Sequence, residues 1–265
     1  MIKLMIVGAC GRMGKEVMRA AAGADGLTIA AAVEHGSHPD LGKDAGLAAG
    51  AGGTGVKVSA GIAGALAGVD AVIDFSLPDS TMALLGALRD DPKPAIIATT
   101  GLGEDIMEAA RAAASKSPVL LASNMSCGVA VLKHLTREAL KFLAGFDVEI
   151  VESHHRGKAD APSGTAGDLL RILKQGLENQ KLETEILHGR SGKLAKRKAG
   201  DIGVHAVRGG SVTGEHTVFF LGDGERIEIK HTAEHRGIFA LGSLNAVRWL
   251  VKQPAGLYSM DDFVK

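Results

Sequence analysis

Ile2-Lys3-Leu4-Met5-Ile6-Val7-Gly8-Ala9-Cys10-Gly11-Arg12-Met13-Gly14 opens the chain, and its reading sets the architecture. A mostly apolar run of six residues meets Gly8, the pattern of a strand buried on both faces in a parallel sheet. Residues 12–22 then place Met13, Val17, Met18 and Ala21 on one helical face. Glycines at this strand-to-helix turn let backbone approach a pyrophosphate. The helix start adds N–H groups and the positive end of its dipole. Residues 27–33 form a second apolar strand that ends at Glu34, 20 residues beyond Gly14. A carboxylate there accepts hydrogen bonds from an adenosine ribose. The spacing is G-x-x-G-x-x-G instead of G-x-G-x-x-G, so the glycines alone also fit a tight turn with no ligand. Strand, glycines, helix and acid agree in order, which favours a bound dinucleotide.

The alternation continues outward from this unit. Residues 69–75, 95–98 and 119–122 read as further strands. Pro78-Asp79-Ser80 starts one helix and residues 104–114 form another. Strands alternating with helices over short connections predict a Rossmann-like doubly wound parallel sheet. The pattern changes near residue 126. Residues 129–142 read as a long helix leaving the first domain, 146–153 as a strand and 164–177 as a helix. Residues 202–208, 213–221 and 226–232 read as consecutive antiparallel strands, the last two joined by a Gly222-Asp223-Gly224 turn. The predicted class is therefore α/β, with a second α+β domain built on a mostly antiparallel open sheet. The expected domains are residues 1–125, with 236–265 packing back on them, and residues 126–235.

The segment Glu152-Ser153-His154-His155-Arg156-Gly157-Lys158-Ala159-Asp160-Ala161-Pro162-Ser163-Gly164-Thr165 leaves a strand and enters a helix. His154, His155 and Lys158 precede a helix start at Ser163, Gly164 and Thr165. Imidazole and ammonium donors beside a helix N-terminus suit a dicarboxylate, and a histidine moves protons near neutral pH. A single histidine is more often structural, and Ser163 alone fits an N-cap; the clustering favours a site. No metal site is expected, since adjacent histidines on a strand face opposite ways. Ala98-Thr99-Thr100-Gly101 and Ala122-Ser123-Asn124-Met125 follow strands at the edge where such sheets bind ligands, although each also fits a plain loop. Arg208 and Gly214-Glu215-His216 read by default as exposed hairpin chemistry.

The composition narrows the class. Thirty Lys plus Arg balance thirty Asp plus Glu, which argues against nucleic acid as a partner; Lys196-Arg197-Lys198 reads as a solvated loop. Two distant cysteines, Cys10 and Cys127, fit reduced thiols in the cytoplasm. No signal peptide or membrane span is expected.

At these motifs the sequence resembles the 4-hydroxy-tetrahydrodipicolinate reductase (dihydrodipicolinate reductase) family, nearly end to end. Asp74-Phe75-Ser76 and Val207-Arg208-Gly209-Gly210 add to the match, and the histidine segment carries most of its specificity. The resemblance implies hydride transfer from NADH or NADPH to a ring carbon of a small dicarboxylate, with loss of water, in lysine and diaminopimelate synthesis. It implies His154 as proton donor or acceptor and Lys158 as proton donor. It assigns His155, Lys158, Ser163, Gly164 and Thr165 to the substrate. Gly8, Ala9, Cys10, Gly11, Arg12, Met13, Glu34, His35, Ala98, Thr99, Thr100, Ala122, Ser123, Asn124 and Met125 fall to the cofactor. It also implies a cytoplasmic homotetramer joined through second-domain sheets, with domain closure over the ligands.

Three positions depart from the family pattern: His35 stands where an arginine is frequent, Ala98 for a glycine and Met125 for a phenylalanine. Two rival readings are another two-domain dehydrogenase acting on an amino or imino dicarboxylate, and a nicotinamide-sensing regulator. The regulator gives no reason for the histidine–lysine cluster.

Overall fold

The computed structural model describes residues 1–193 and 195–265. They form two compact units, residues 1–127 with 237–265, and residues 128–236.

The first unit runs β1 (Ile2–Val7), α1 (Arg12–Ala22), β2 (Leu27–Val33), α2 (Ala45–Ala49), β3 (Val58–Ser59), α3 (Ile62–Ala65), β4 (Ala71–Asp74), α4 (Pro78–Asp90), β5 (Ala95–Ile97), α5 (Glu104–Ala114) and β6 (Pro118–Leu121). Helix α6 (Cys127–Leu143) follows. The second unit continues with β7 (Asp147–His154), α7 (Gly164–Asn179), β8 (Glu185–Leu187), β9 (Asp201–Arg208), β10 (Gly214–Leu221) and β11 (Arg226–Ala233). The chain then returns to the first unit as α8 (Gly237–Leu250), β12 (Gly256–Tyr258) and α9 (Met260–Phe263).

The first sheet has the order β12-β6-β5-β4-β1-β2-β3, and all its pairings are parallel. Strands β4 and β5 are buried along their length because helices cover both faces. With few aromatics, the core is filled by aliphatic side chains such as Val72, Leu84, Leu88, Ile97 and Val119. Helix α8 packs on α1 and buries Ala240, Leu244, Val247 and Leu250. The strand order reverses between β1 and β4, the place where sheets of this kind bind ligands at their carboxyl edge.

The second sheet has the order β11-β10-β7-β9-β8. It is evenly mixed instead of mostly antiparallel. β10 pairs antiparallel with β7 and β11, while β9 pairs parallel with β7 and β8. The sequence reading of 202–208 and 213–221 as neighbours is therefore corrected: β7 lies between them. Nothing local to either strand encodes that insertion: β7 pairs with both β9 and β10, and α7 packs over β7 and β9. The core here is Leu132, Leu140, Ile150, Leu169, Leu173 and Phe220, among others. Short elements α2, β3, α3, β8, β12 and α9 have too few residues to show a period, and the sequence reading missed them. Among the described residues, no helix is long and apolar enough to cross a membrane.

Candidate active site

Two groups of side chains stand out, one in each unit. In the first unit the carboxyl ends of β1, β2, β4, β5 and β6 present the loops singled out from sequence. Gly8 has φ +74, and a Cβ there would lie 2.8 Å from the Phe75 carbonyl oxygen. A Cβ at Gly14 would overlap the Gly8 carbonyl oxygen, so only glycine lets α1 start this close to the loop. Gly11 caps α1 without any side-chain hydrogen bond, leaving the first turn open to an anion. A Glu34 oxygen, Oε2, accepts from Cys10 N–H at 2.9 Å, and Oε1 accepts from His35 N–H at 3.0 Å. Each oxygen keeps a further lone pair for a ribose hydroxyl. A cleft of about 240 Å³ runs along this edge, lined by Gly8, Glu34, His35, Ser76 and Ser80 among others. The glycine cradle, the open helix start and the acid fit a dinucleotide.

The remaining first-unit positions lie on neighbouring loops. Arg12 is exposed and Met13 half-buried at the start of α1. Ala98 N–H donates to the Asp74 carbonyl, and Ala122 N–H to that of Ile97. Thr99 is buried and Thr100 exposed. Asn124 accepts from Ser126 N–H, Ser123 is exposed, and Met125 is buried with its carbonyl against Gly242. His35 is exposed, with Nδ1 2.8 Å from the Ser37 hydroxyl.

A buried carboxylate that the sequence reading left unassigned ties these loops together. Asp74 is fully buried at the end of β4 and accepts from Ser76 N–H at 2.8 Å and from the Thr81 hydroxyl at 2.6 Å. The oxygen of Thr81 lies 2.9 Å from the Thr99 hydroxyl. Burial raises the Asp74 pKa despite these hydrogen bonds.

In the second unit, side-chain alternation puts Glu152 and His154 on the same face of β7. Strand register sets Arg208 of β9 opposite His154 and His216 of β10 opposite Glu152. Glu152 has no solvent exposure. Its Oε2 lies 2.5 Å from Nδ1 of His154 and accepts from Arg208 Nη1 at 2.8 Å. Its Oε1 accepts from Arg208 Nη2 at 2.7 Å and from Ser163 N–H at 3.1 Å. Burial pushes the Glu152 carboxyl upward most strongly, but Arg208, His154 and the Ser163 N–H together hold it below the usual range. Burial lowers the His154 pKa, and Glu152 opposes that shift without cancelling it.

Around this pair the predicted residues take distinct places. The Ser163 hydroxyl caps α7 by accepting from Ala166 N–H, and lies 3.0 Å from Nε2 of His216. Gly164, exposed, and Thr165, buried, open the helix. Lys158 Nζ reaches both carboxylate oxygens of Asp160, at 2.7 and 2.9 Å, and holds that carboxyl below its ordinary range. His155 is half-buried, and its carbonyl accepts from Lys158 N–H.

Two default readings are corrected here. His216 is 4% exposed and packs edge-on to His154 at 5.2 Å, and Arg208 carries the buried Glu152 carboxylate. Neither is exposed hairpin chemistry, because β7 separates β9 from β10. Arg197, read as part of a solvated loop, is mostly buried and pairs with Asp147 and Glu149.

Family models described as dihydrodipicolinate reductase, N-terminus, and dihydrodipicolinate reductase, C-terminus, match residues 2–125 and 128–264. A 4-hydroxy-tetrahydrodipicolinate reductase of Anaeromyxobacter dehalogenans is 43% identical over 99% of this chain and 97% of the relative. One of Halorhodospira halophila is 41% identical over 98% and 97%. A dipicolinate-bound dihydrodipicolinate reductase from Paenisporosarcina sp. TG-14 superposes with a TM-score of 0.79, at 21% identity, over 99% of both chains.

Proposed function

The chain belongs to the dihydrodipicolinate reductase family, and from that premise we propose that it reduces 4-hydroxy-tetrahydrodipicolinate (dihydrodipicolinate) to tetrahydrodipicolinate in lysine and diaminopimelate synthesis. Its curated relatives carry the name of that activity over nearly the whole length. The observation that most supports the reading is the buried Glu152–His154 pair, whose carboxylate also accepts from Ser163 N–H at the start of α7.

When bound, the reduced nicotinamide supplies a hydride to the ring carbon. The other changes are uptake of one proton and departure of the hydroxyl as water. Gly8, Ala9, Cys10, Gly11, Arg12 and Met13 would hold the pyrophosphate, and Glu34 the adenosine ribose. The loops of Ala98, Thr99 and Thr100 and of Ala122, Ser123, Asn124 and Met125 would line the nicotinamide. In the second unit, Glu152 holds Nδ1 of His154, so Nε2 is the atom that exchanges a proton. Lys158 Nζ supplies positive charge and His155 a ring N–H donor for the substrate carboxylates, beside the helix start at Gly164 and Thr165. Lys158's partner Asp160 is 61% exposed, so the pair is weak and a substrate carboxylate competes for the ammonium. Ser163 is assigned to the substrate at the same helix start, and it also acts through others: its N–H orients Glu152 and its hydroxyl caps α7.

The cofactor reading is that both nicotinamides are accepted, NADH at least as well as NADPH. Glu34 repels an added 2′-phosphate, and His35 lacks the permanent charge and bidentate fork of an arginine. Lys43, a more distant candidate for that phosphate, is bound to Asp40 at 2.6 Å. His35→Arg is expected to favour NADPH by about 1 kcal/mol, measured as cofactor affinities of both proteins. Strong NADPH selectivity in the unaltered protein, unchanged in the variant, contradicts this placement. The homotetramer is likewise proposed, supported by the exposed Val207 and Ile227 on an open sheet with β11 at its edge.

The direct test mixes the protein, reduced nicotinamide and freshly condensed pyruvate plus aspartate semialdehyde. Cofactor oxidation that depends on the condensed product is the expected result. No turnover with either cofactor rejects the proposal.

A further inference from the structure

We propose that Cys10, His38 and Asp40 form a binding site for a thiophilic divalent cation, of which zinc is the physiological example, and that this cation competes with the nicotinamide cofactor. Cys10 lies in the turn between β1 and α1, and His38 and Asp40 lie in the turn after β2. β1 and β2 are parallel neighbours, with Val7 opposite Val33, so the two turns leave the sheet side by side. A Cys10 thiol, a His38 ring nitrogen and an Asp40 carboxylate oxygen lie within 4.8 Å of one another. Among the described residues, no other three His, Cys, Asp or Glu side chains are so placed.

The donor set is specific. Thiolate, imidazole and carboxylate together select a borderline-soft cation, and three protein ligands leave a fourth tetrahedral position open. Bonds of about 2.0–2.3 Å place tetrahedral donors roughly 3.3–3.8 Å apart, so these donors need to close by about 1 Å. Turn residues allow that without moving the sheet. Asp40 uses Oδ1 for Lys43 and keeps Oδ2, 3.9 Å from Nδ1 of His38. Burial, with the Glu34 and Asp40 carboxylates adding to it, raises the Cys10 thiol pKa in the metal-free protein, so the cation has to displace the thiol proton when it binds. His38 and Asp40 are 30% and 22% exposed, which gives an ion a path from solvent.

The same geometry links the ion to catalysis. Cys10 belongs to the Gly8–Gly14 turn, and its N–H is held by Glu34 at 2.9 Å. A cation on its thiolate sits beside the carboxylate assigned to the ribose and fixes the turn assigned to the pyrophosphate. This coupling rests on the cofactor reading given above; the metal site itself does not.

The test titrates the reduced, chelator-treated full chain with cobalt(II), without cofactor. One cobalt per chain is expected, with a thiolate-to-cobalt charge-transfer band and the visible bands of tetrahedral cobalt, both abolished by zinc. Cys10→Ser removes the charge-transfer band. His38→Gln and Asp40→Asn each weaken binding by on the order of 10–100-fold. Cys127→Ser, which removes the other thiol, changes nothing. Absence of the band, its persistence in Cys10→Ser, or unchanged affinity in a folded Asp40→Asn overturns the site. In a second arm, zinc raises the Kd for NADH by at least about tenfold. Zinc bound with unaltered NADH affinity overturns the competition. Failure of NADH to bind metal-free protein instead counts against the cofactor reading.

Discussion

His154 is anchored through Nδ1, and its other ring nitrogen stands beside a glycine. Glu152 takes Nδ1 at 2.5 Å, and Nε2 lies near Gly214, where an added Cβ would stand 3.1 Å away. A side chain larger than glycine would crowd the nitrogen proposed to exchange a proton. His154→Gln is expected to lower turnover by about 10²–10⁴-fold, read by steady-state kinetics on protein shown to be folded. Because burial lowers the His154 pKa from 6.5, any loss of activity on its protonation falls below that pH. Wild-type turnover in the variant, or an acid limb below that pH that persists unchanged in it, removes His154 from proton transfer. Lys158→Ala deletes a charge-assisted contact worth roughly 1.5–3 kcal/mol and is expected to raise the KM for substrate while leaving cofactor affinity unchanged. A large loss of nicotinamide binding with normal substrate affinity reverses that assignment. His154 and Lys158 stand out in the sequence as candidates because their types and spacing are unusual. Glu152 was not: a glutamate in a strand looks exposed until Arg208 arrives from 56 residues away.

At the scale of elements, the first turn of α1 depends on Gly14. Any Cβ there meets the Gly8 carbonyl and the Ala9 backbone, neither of which can rotate away. Gly14→Ala is expected to cost about 1–3 kcal/mol through overpacking and to weaken cofactor binding as the turn opens. Urea unfolding and nicotinamide titration check the two effects together; an unaltered variant would mean that the helix shifts freely. A second link is Asp74–Thr81–Thr99, which joins β4, α4 and the loop after β5 through hydroxyl groups. The elements themselves were readable from periodicity, α1 to the residue. The link was not, because the end of β4, the first turn of α4 and the loop after β5 meet only when the helix packs on the parallel sheet.

For the whole molecule, the buried imidazoles make stability depend on pH. Burial lowers His216 to about 4, with the charge of His154 adding to the effect, against an ordinary value near 6.5. Between these values the unfolded chain binds the proton and the folded chain does not, so stability falls as pH drops from about 6.5 to 4. The loss from His216 is on the order of 3 kcal/mol. His231 and His154, also lowered by burial, act in the same direction. Urea midpoints across this range should slope less steeply for His216→Gln than for the unaltered protein. Equal slopes would mean that His216 is hydrated in the folded state.

The sequence by itself determined the parallel α/β sheet, the glycine turn with its acid, and the histidine–lysine segment before α7. Each of these is written in residues close along the chain, where hydrophobic period, glycine geometry and side-chain chemistry act locally. Only the tertiary structure decided that β7 lies between β9 and β10, and that choice assembles the buried site. It turns Arg208 and His216 from apparent surface residues into partners of Glu152 and Ser163. Strand order follows from which apolar faces α6 and α7 can cover, a property of the packed sheet that no single strand carries.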